Sequence, residues 1–125
     1  MFIGVSAPGL LTGDDLAGMA RDPIVFALAN PDPEVDPAAA RERAAVIATG
    51  RSGQPNQINN VLVFPGVMRG LLDAQVATLT VDMQLAAAAT LAERAGGGLD
   101  AGHVVPSVFD GELVPAIAAA ISKAA

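Results

Sequence analysis

The sequence predicts an α/β fold in which three parallel strands alternate with helices and more helices follow. Three short apolar runs, at residues 2–6, 24–29 and 45–49, contain β-branched residues and lack polar alternation, as expected of strands covered on both faces. Helix start signals separate these runs, and each run ends in small or polar residues. Because consecutive strand-helix-strand units form parallel sheets, we expect the carboxyl ends of all three strands to converge on one site.

Capping signals predict the two helices between the strands. Thr12 is a suitable N-cap, with acidic residues in the turn that follows it, and the predicted helix continues to about residue 20. Asp36 followed by Pro37 combines a side-chain acceptor with a fixed backbone angle, which predicts a helix over residues 37–44. Prolines shortly after the second apolar run prevent that strand from continuing.

Three further helices are predicted after the third strand. The first begins at about Phe64 and ends near residue 74. Thr80 caps a helix over residues 81–95, where apolar side chains recur at helical spacing until a run of three glycines ends the pattern. Asp110 is then predicted to cap a final amphipathic helix over residues 113–123.

Composition excludes several classes of function. The formal net charge is -6 and the arginines are dispersed, so no basic surface is available for nucleic acid or an anionic membrane. No apolar run reaches the ~20 residues that a membrane span requires. The first residues lack the basic region of a signal peptide, and we expect a cytoplasmic protein.

The chemical inventory is poor in reactive groups. The chain contains no tyrosine, cysteine or tryptophan, one histidine, His103, and one lysine, Lys123. A complete active site would have to move protons with aspartate, glutamate and that single histidine. We therefore expect no catalytic residue within the chain, and a solvated or locally hydrogen-bonded role for His103.

Polar side chains are concentrated between Gly50 and Asn60, where the third strand leads into a helix. Amides and hydroxyls can hydrogen-bond carboxylates, amides and hydroxyl groups without a charge of their own, which suits a small polar ligand. The polar residues of this segment are Arg51, Ser52, Gln54, Asn56, Gln57, Asn59 and Asn60.

Each candidate also has a structural interpretation. Asn30 is an ordinary turn residue or a ligand group held by the adjacent Pro31. The pair Asn59 and Asn60 serves as a helix cap, a ligand contact or both. Arg51 binds an anion or forms a surface ion pair.

Two other patterns are weak. Residues 4–9 form a glycine-containing turn, but they do not match the GxGxxG fingerprint and make a poor phosphate site. Asp32, Glu34 and Asp36 are interpreted as a solvated loop and a helix cap, because their spacing is not that of a metal site.

In order along the chain, the segments FIGVSAPGLLT, DPIVFALANPDPE, ATGRS and PNQINNVLVFPGVMRG resemble the bacterial-type malic enzymes. The resemblance covers residue 2 to about residue 92, and it departs at residues 52–55, where the family usually has an acidic and an aromatic residue before the proline. It implies that residues 1–125 are the C-terminal portion of an NAD(P)-binding domain. The corresponding fold is the C-terminal half of a Rossmann-like doubly wound parallel sheet, followed by helices.

The resemblance implies roles for individual residues. Asn30 is similar to an asparagine that binds malate, and Asn59 and Asn60 to a pair that contacts the substrate. Asn59 and Ser6 are similar to residues that contact the cofactor. Family members oxidatively decarboxylate malate to pyruvate and carbon dioxide, using NAD or NADP and divalent Mg or Mn, and the complete enzyme is expected to be a homodimer.

The resemblance also implies what the chain lacks. The family's acid/base tyrosine and lysine, its acidic metal ligands and its glycine-rich pyrophosphate turn belong to segments before the first strand. We therefore expect no malic enzyme activity from this chain alone and no metal ligands in it. The alternative is a small non-catalytic α/β module that binds a ligand or a partner protein.

Overall fold

A computed structural model describes all 125 residues and divides them into two compact units. The first unit contains residues 1–59 and 99–104, and the second contains residues 60–98 and 105–125. The first unit is therefore built from two separate stretches of the sequence.

The first unit contains a three-stranded parallel sheet in the order β1-β2-β3. The strands are β1 (Phe2–Gly4), β2 (Ile24–Ala27) and β3 (Val46–Thr49). Phe2 pairs with Val25 in one ladder, and Val25 pairs with Ile47 in the next. The parallel α/β sheet predicted from the apolar runs is confirmed.

Two short helices connect the strands of this sheet. Helix α1 (Gly13–Ala17) has the predicted N-cap, because the Thr12 hydroxyl accepts from the Asp15 N–H and the Asp15 carboxylate accepts from the Thr12 N–H. Helix α2 (Pro37–Arg41) has Asp36 as its N-cap, again as predicted. Each helix ends a few residues before its predicted C-terminus.

The core of the first unit comes from the sheet, both helices and the segment before α2. It is formed by aliphatic side chains that are nearly or fully buried, as expected for a chain with few aromatic residues. These residues are Leu16, Val25, Ala27, Val35, Ala40 and Ile47.

The second unit is helical. A 3-10 turn at Asn60–Leu62 precedes α3 (Phe64–Ala74), and α4 (Val81–Ala95) and α5 (Leu113–Lys123) follow. The predicted positions of these three helices are confirmed. The predicted cap of α5 is wrong: Glu112 is the N-cap, and the Asp110 carboxylate accepts from the Glu112 N–H in the preceding turn.

Close packing of α3 against α5 depends on two glycines one helical turn apart. A Cβ on Gly66 would lie 2.7 Å from Cβ of Ile117, and one on Gly70 would lie 2.5 Å from Cβ of Ile121. Both isoleucines are fully buried. The missing side chains therefore allow the two helices to approach closely and enclose the core of the second unit.

We expect Gly70→Ala to lower the free energy of unfolding by about 1–3 kcal/mol, because the added methyl group overlaps Ile121 and the α5 backbone. Gly111→Ala is the matched control, since no atom lies within 4 Å of a Cβ built there. Urea unfolding followed by circular dichroism measures both. Equal stability of the two variants would contradict the packing argument.

Candidate functional site

The ends of β2 and β3 bring two predicted site residues to the same backbone position, Gly50. A Cβ built on Gly50, the residue after β3, would lie 3.4 Å from Oδ1 of Asn30. The Asn59 side chain donates from Nδ2 to the Gly50 carbonyl oxygen at 3.2 Å. Both carboxamides therefore lie against Gly50, although 29 residues separate Asn30 from Asn59 in sequence.

The two amides beside Gly50 differ in exposure. Asn30 is exposed and Asn59 is partly buried, whereas Gly50 is buried. A carboxamide offers two donors and one acceptor oxygen without a charge. This part of the first unit can hydrogen-bond carboxylate, amide or hydroxyl groups of a ligand.

Glu34 connects the ends of β1 and β2 and is the main residue that the sequence analysis missed. It is fully buried, so its interpretation as part of a solvated loop is wrong. Oε1 accepts from the Ser6 N–H at 2.9 Å, and Oε2 accepts from the Ala29 N–H at 3.1 Å. Because these two N–H groups bind the carboxylate, β1 and β2 end earlier than predicted.

The charge of Glu34 is stabilised by the backbone. Burial, the largest single effect, raises the pKa of Glu34, but hydrogen bonds from the backbone N–H groups of Ser6, Ala29 and Glu34 together lower the pKa below its ordinary value. The carboxylate is therefore the form that the fold requires.

Ser6 lies directly after β1, as predicted, and its side chain is exposed. Its backbone N–H donates to Glu34, so that donor is already used within the protein. The Ser6 hydroxyl group is therefore the donor and acceptor of this residue that is proposed for a ligand.

Asn60 belongs to the second unit, where it begins the 3-10 turn and is exposed. It lines a cleft of about 250 Å³ whose other walls are apolar: Val63, Phe64, Val67 and Leu79. The N-cap of α3 is Val63 and makes no side-chain capping bond, so neither Asn59 nor Asn60 caps that helix.

Asn56 has a structural role that the sequence analysis did not separate from its neighbours. It is buried, its φ is 55°, and its Nδ2 donates to the carbonyl oxygens of Ile47 and Ala101. Its Oδ1 accepts from the Val104 N–H at 2.8 Å. Asn56 thus joins β3 to residues 99–104, and no polar atom of its side chain remains for a ligand.

Three other polar candidates are engaged within the first unit. The Gln54 side chain accepts from the Arg41 guanidinium, and Arg51 forms a surface ion pair with Asp32 at 3.2 Å, one of the two outcomes considered for that arginine. The exposed His103 exchanges backbone hydrogen bonds with Asp100.

The residues of the chain fit one end of a dinucleotide better than its centre. The amides of Asn30 and Asn59 match the carboxamide of nicotinamide. By contrast, α1 begins with acidic residues and α2 has Asp36 at its N-cap, which disfavours phosphate there. No three His, Asp or Glu side chains come together as metal ligands, so the chain by itself does not fit a divalent metal.

We expect Asn56→Ala to lower the free energy of unfolding by about 2–3 kcal/mol, because it removes the hydrogen bonds that the side chain makes with the Ile47 carbonyl and the Val104 N–H. It should also speed hydrogen exchange of the Val104 amide, measured by NMR. Ser52→Ala, an exposed change in the same loop, is the control and should alter neither quantity.

Stability should fall in acid partly through Glu34. Because its folded pKa is lower than its unfolded pKa, the carboxylate contributes fully above the ordinary value of 4.5, and this contribution is lost as pH falls through the folded pKa. The stability difference between wild type and Glu34→Gln should therefore shrink below pH 4.5. Glu93→Gln, a change at an exposed position, is the control. Urea unfolding at several pH values measures the stability of the wild type and of both variants. A stability difference between wild type and Glu34→Gln that does not depend on pH would contradict this prediction.

Comparison with known protein families identifies relatives over the whole chain. The family model described as the malic enzyme, NAD binding domain matches residues 1–125. The NAD-dependent malic enzyme of Geobacillus stearothermophilus is 50% identical over 126 residues, which is 100% of this chain and 26% of that protein. The NADP-dependent malic enzyme of Escherichia coli is 41% identical, and the match covers 19% of its length.

Solved structures of malic enzymes also match. The NAD-dependent malic enzyme of Thermotoga maritima gives a TM-score of 0.88 at 39% identity, covering 97% of this chain and 32% of that one. The malic enzyme of Pyrococcus horikoshii gives 0.86 at 38% identity, covering 97% and 28%. The chain thus spans less than a third of the length of these relatives.

Its helices are all too short or too polar to span a bilayer.

Proposed function

The chain belongs to the malic enzyme NAD-binding domain family, and from this premise we propose that it supplies substrate- and cofactor-positioning groups for the oxidative decarboxylation of malate. In this proposal, residues 1–125 are the C-terminal portion of the NAD(P)-binding domain. The observation that carries it is the arrangement of the Asn30 and Asn59 amides against Gly50.

The chemistry of the side chains supports these assignments. Malate presents two carboxylates and a hydroxyl group, each of which can accept a hydrogen bond from an asparagine Nδ2 group, the contact proposed individually for Asn30, Asn59 and Asn60. Nicotinamide presents a carboxamide, which can exchange hydrogen bonds with Asn59 and with the Ser6 hydroxyl. Neutral amides fix the relative orientation of the reacting molecules, and this positioning lowers the barrier without any bond being made to the protein.

The remaining chemistry is assigned to other parts of a complete enzyme. Oxidation of the malate hydroxyl carbon requires a base, a polarising cation and a hydride acceptor. Relatives that use NAD and relatives that use NADP both match the chain, so either cofactor fits the proposal. We propose that the chain alone is inactive, and that the complete enzyme is a metal-dependent cytoplasmic homodimer.

The test uses an enzyme in which residues 1–125 replace the matching segment of the Geobacillus stearothermophilus malic enzyme, which is 50% identical. Asn30→Ala and Asn60→Ala should each lower kcat/KM for malate by roughly 10- to 100-fold, the usual effect of losing a hydrogen bond to a charged group. Metal affinity should stay the same. Steady-state kinetics and metal titration measure the two effects.

Ser52→Ala serves as the control, because Ser52 is exposed in the same loop and has no proposed role. It should leave kcat/KM unchanged. The assignment of the asparagines is refuted if Asn30→Ala and Asn60→Ala behave like this control.

A further inference from the structure

We propose that Glu34 is a positioning residue that fixes the spacing between Ser6 and Asn30, and that Gly4 provides the space its carboxylate occupies. The inference rests on the proposed function, because Ser6 and Asn30 are the cofactor and substrate groups assigned there. It adds a residue that itself reaches neither molecule, since Glu34 is fully buried.

The carboxylate joins two strand ends through one oxygen each. Oε1 accepts from the N–H of Ser6, 28 residues away, and Oε2 accepts from the N–H of Ala29, the residue before Asn30. The two oxygens of a carboxylate are held at a fixed separation by covalent geometry. The backbone positions of Ser6 and Ala29 are therefore set by the same planar group.

Gly4 is required for this arrangement. A Cβ built on Gly4 would lie 2.5 Å from both Cδ and Oε1 of Glu34, and 2.8 Å from the Phe2 ring. Any side chain at this position would occupy the volume of the carboxylate. The last residue of β1 thus lacks a side chain so that the carboxylate can lie directly against the strand.

The backbone at and after Glu34 is anchored by further contacts. Its carbonyl oxygen accepts from the Leu11 N–H at 2.9 Å, and the next residue, Val35, is 1% exposed within the core. Asp36 then caps α2. The backbone of residues 34–36 is therefore anchored by contacts other than those of the Glu34 carboxylate.

A buried charge is an expensive way to stabilise a fold. Burying a carboxylate carries a large desolvation cost, and apolar residues of similar volume often stabilise an interior at least as well. What an apolar side chain cannot do is bind two N–H groups at a set distance. Glu34 does this at the two backbone positions next to the proposed ligand groups.

The expected effect follows from the distances that catalysis tolerates. A displacement of about 1 Å in a positioning group can cost roughly 100-fold in rate. Releasing Ser6 and Ala29 from Glu34 should therefore reduce activity without unfolding the protein.

The first experiment measures kinetics in the same grafted enzyme. Glu34→Gln, which keeps the side-chain volume, should lower kcat/KM by up to roughly 100-fold for both malate and the cofactor, the cost of a displacement of about 1 Å. Gly4→Ala should do the same, because it displaces an unchanged carboxylate. The double variant Gly4→Ala with Glu34→Gln should lose much less than the two single losses combined, since both changes disturb the same contacts of this side chain with Ser6 and Ala29.

The second experiment uses the 125-residue chain and no substitution. The amide protons of Ser6 and Ala29, followed by NMR, should shift together with pH at a single midpoint, because both bind one carboxylate whose other partner is its own backbone N–H. Separate midpoints, or the absence of a shift, would overturn the proposal even if the variants failed to fold.

The outcomes separate the two proposals. If Asn30→Ala lowers kcat/KM while folded Glu34→Gln and Gly4→Ala do not, Glu34 has only a structural role and this inference is overturned alone. If Asn30→Ala and Asn60→Ala leave kcat/KM unchanged, the proposed function itself is refuted. Parallel losses in all four variants, with thermal unfolding still cooperative, support both.

Discussion

The first unit depends on a carboxylate that lies beneath two strand ends and is stabilised by backbone N–H groups alone. The Glu34 oxygens accept the hydrogen bonds that Ser6 and Ala29 would otherwise have to make with water or with a neighbouring strand. This interaction ends β1 and β2, turns the chain outward and leaves Asn30 exposed beside Gly50. The position of the candidate site is therefore a consequence of how these two strands end.

Glycine defines distances in both units. In the first unit Gly4 makes room for a carboxylate, and in the second unit Gly66 and Gly70 make room for two isoleucines of α5. At each of these positions the backbone approaches another group more closely than a side chain would allow. The missing side chain of glycine thus allows close contact with a polar group in the first unit and with apolar side chains in the second.

Local signals in the sequence were sufficient for most of the fold. Thr12, Asp36 and Thr80 each cap the helix that was predicted to follow, because a cap acts within one turn of its own residue. The ends of β1 and β2 could not be predicted, since they depend on a residue up to 28 positions away. Asn56 looked like its neighbouring amides because its partner Val104 lies 48 residues further along the chain. Glu34 lies within a segment that carries the family resemblance, but its role was not predicted because its partner Ser6 lies 28 residues earlier in the chain.

The contribution of residues 99–104 to the first unit has a consequence for how this protein can be divided. The Asn56 side chain makes three hydrogen bonds, with Ile47, Ala101 and Val104. The last two residues follow α4 in the sequence. A stop codon placed between the units would not release an autonomous α/β module, because the remaining fragment would keep a buried carboxamide deprived of two of its partners. The first unit is compact in space but comes from two separate segments of the sequence, residues 1–59 and 99–104. Recombination that exchanges this unit must therefore transfer both segments.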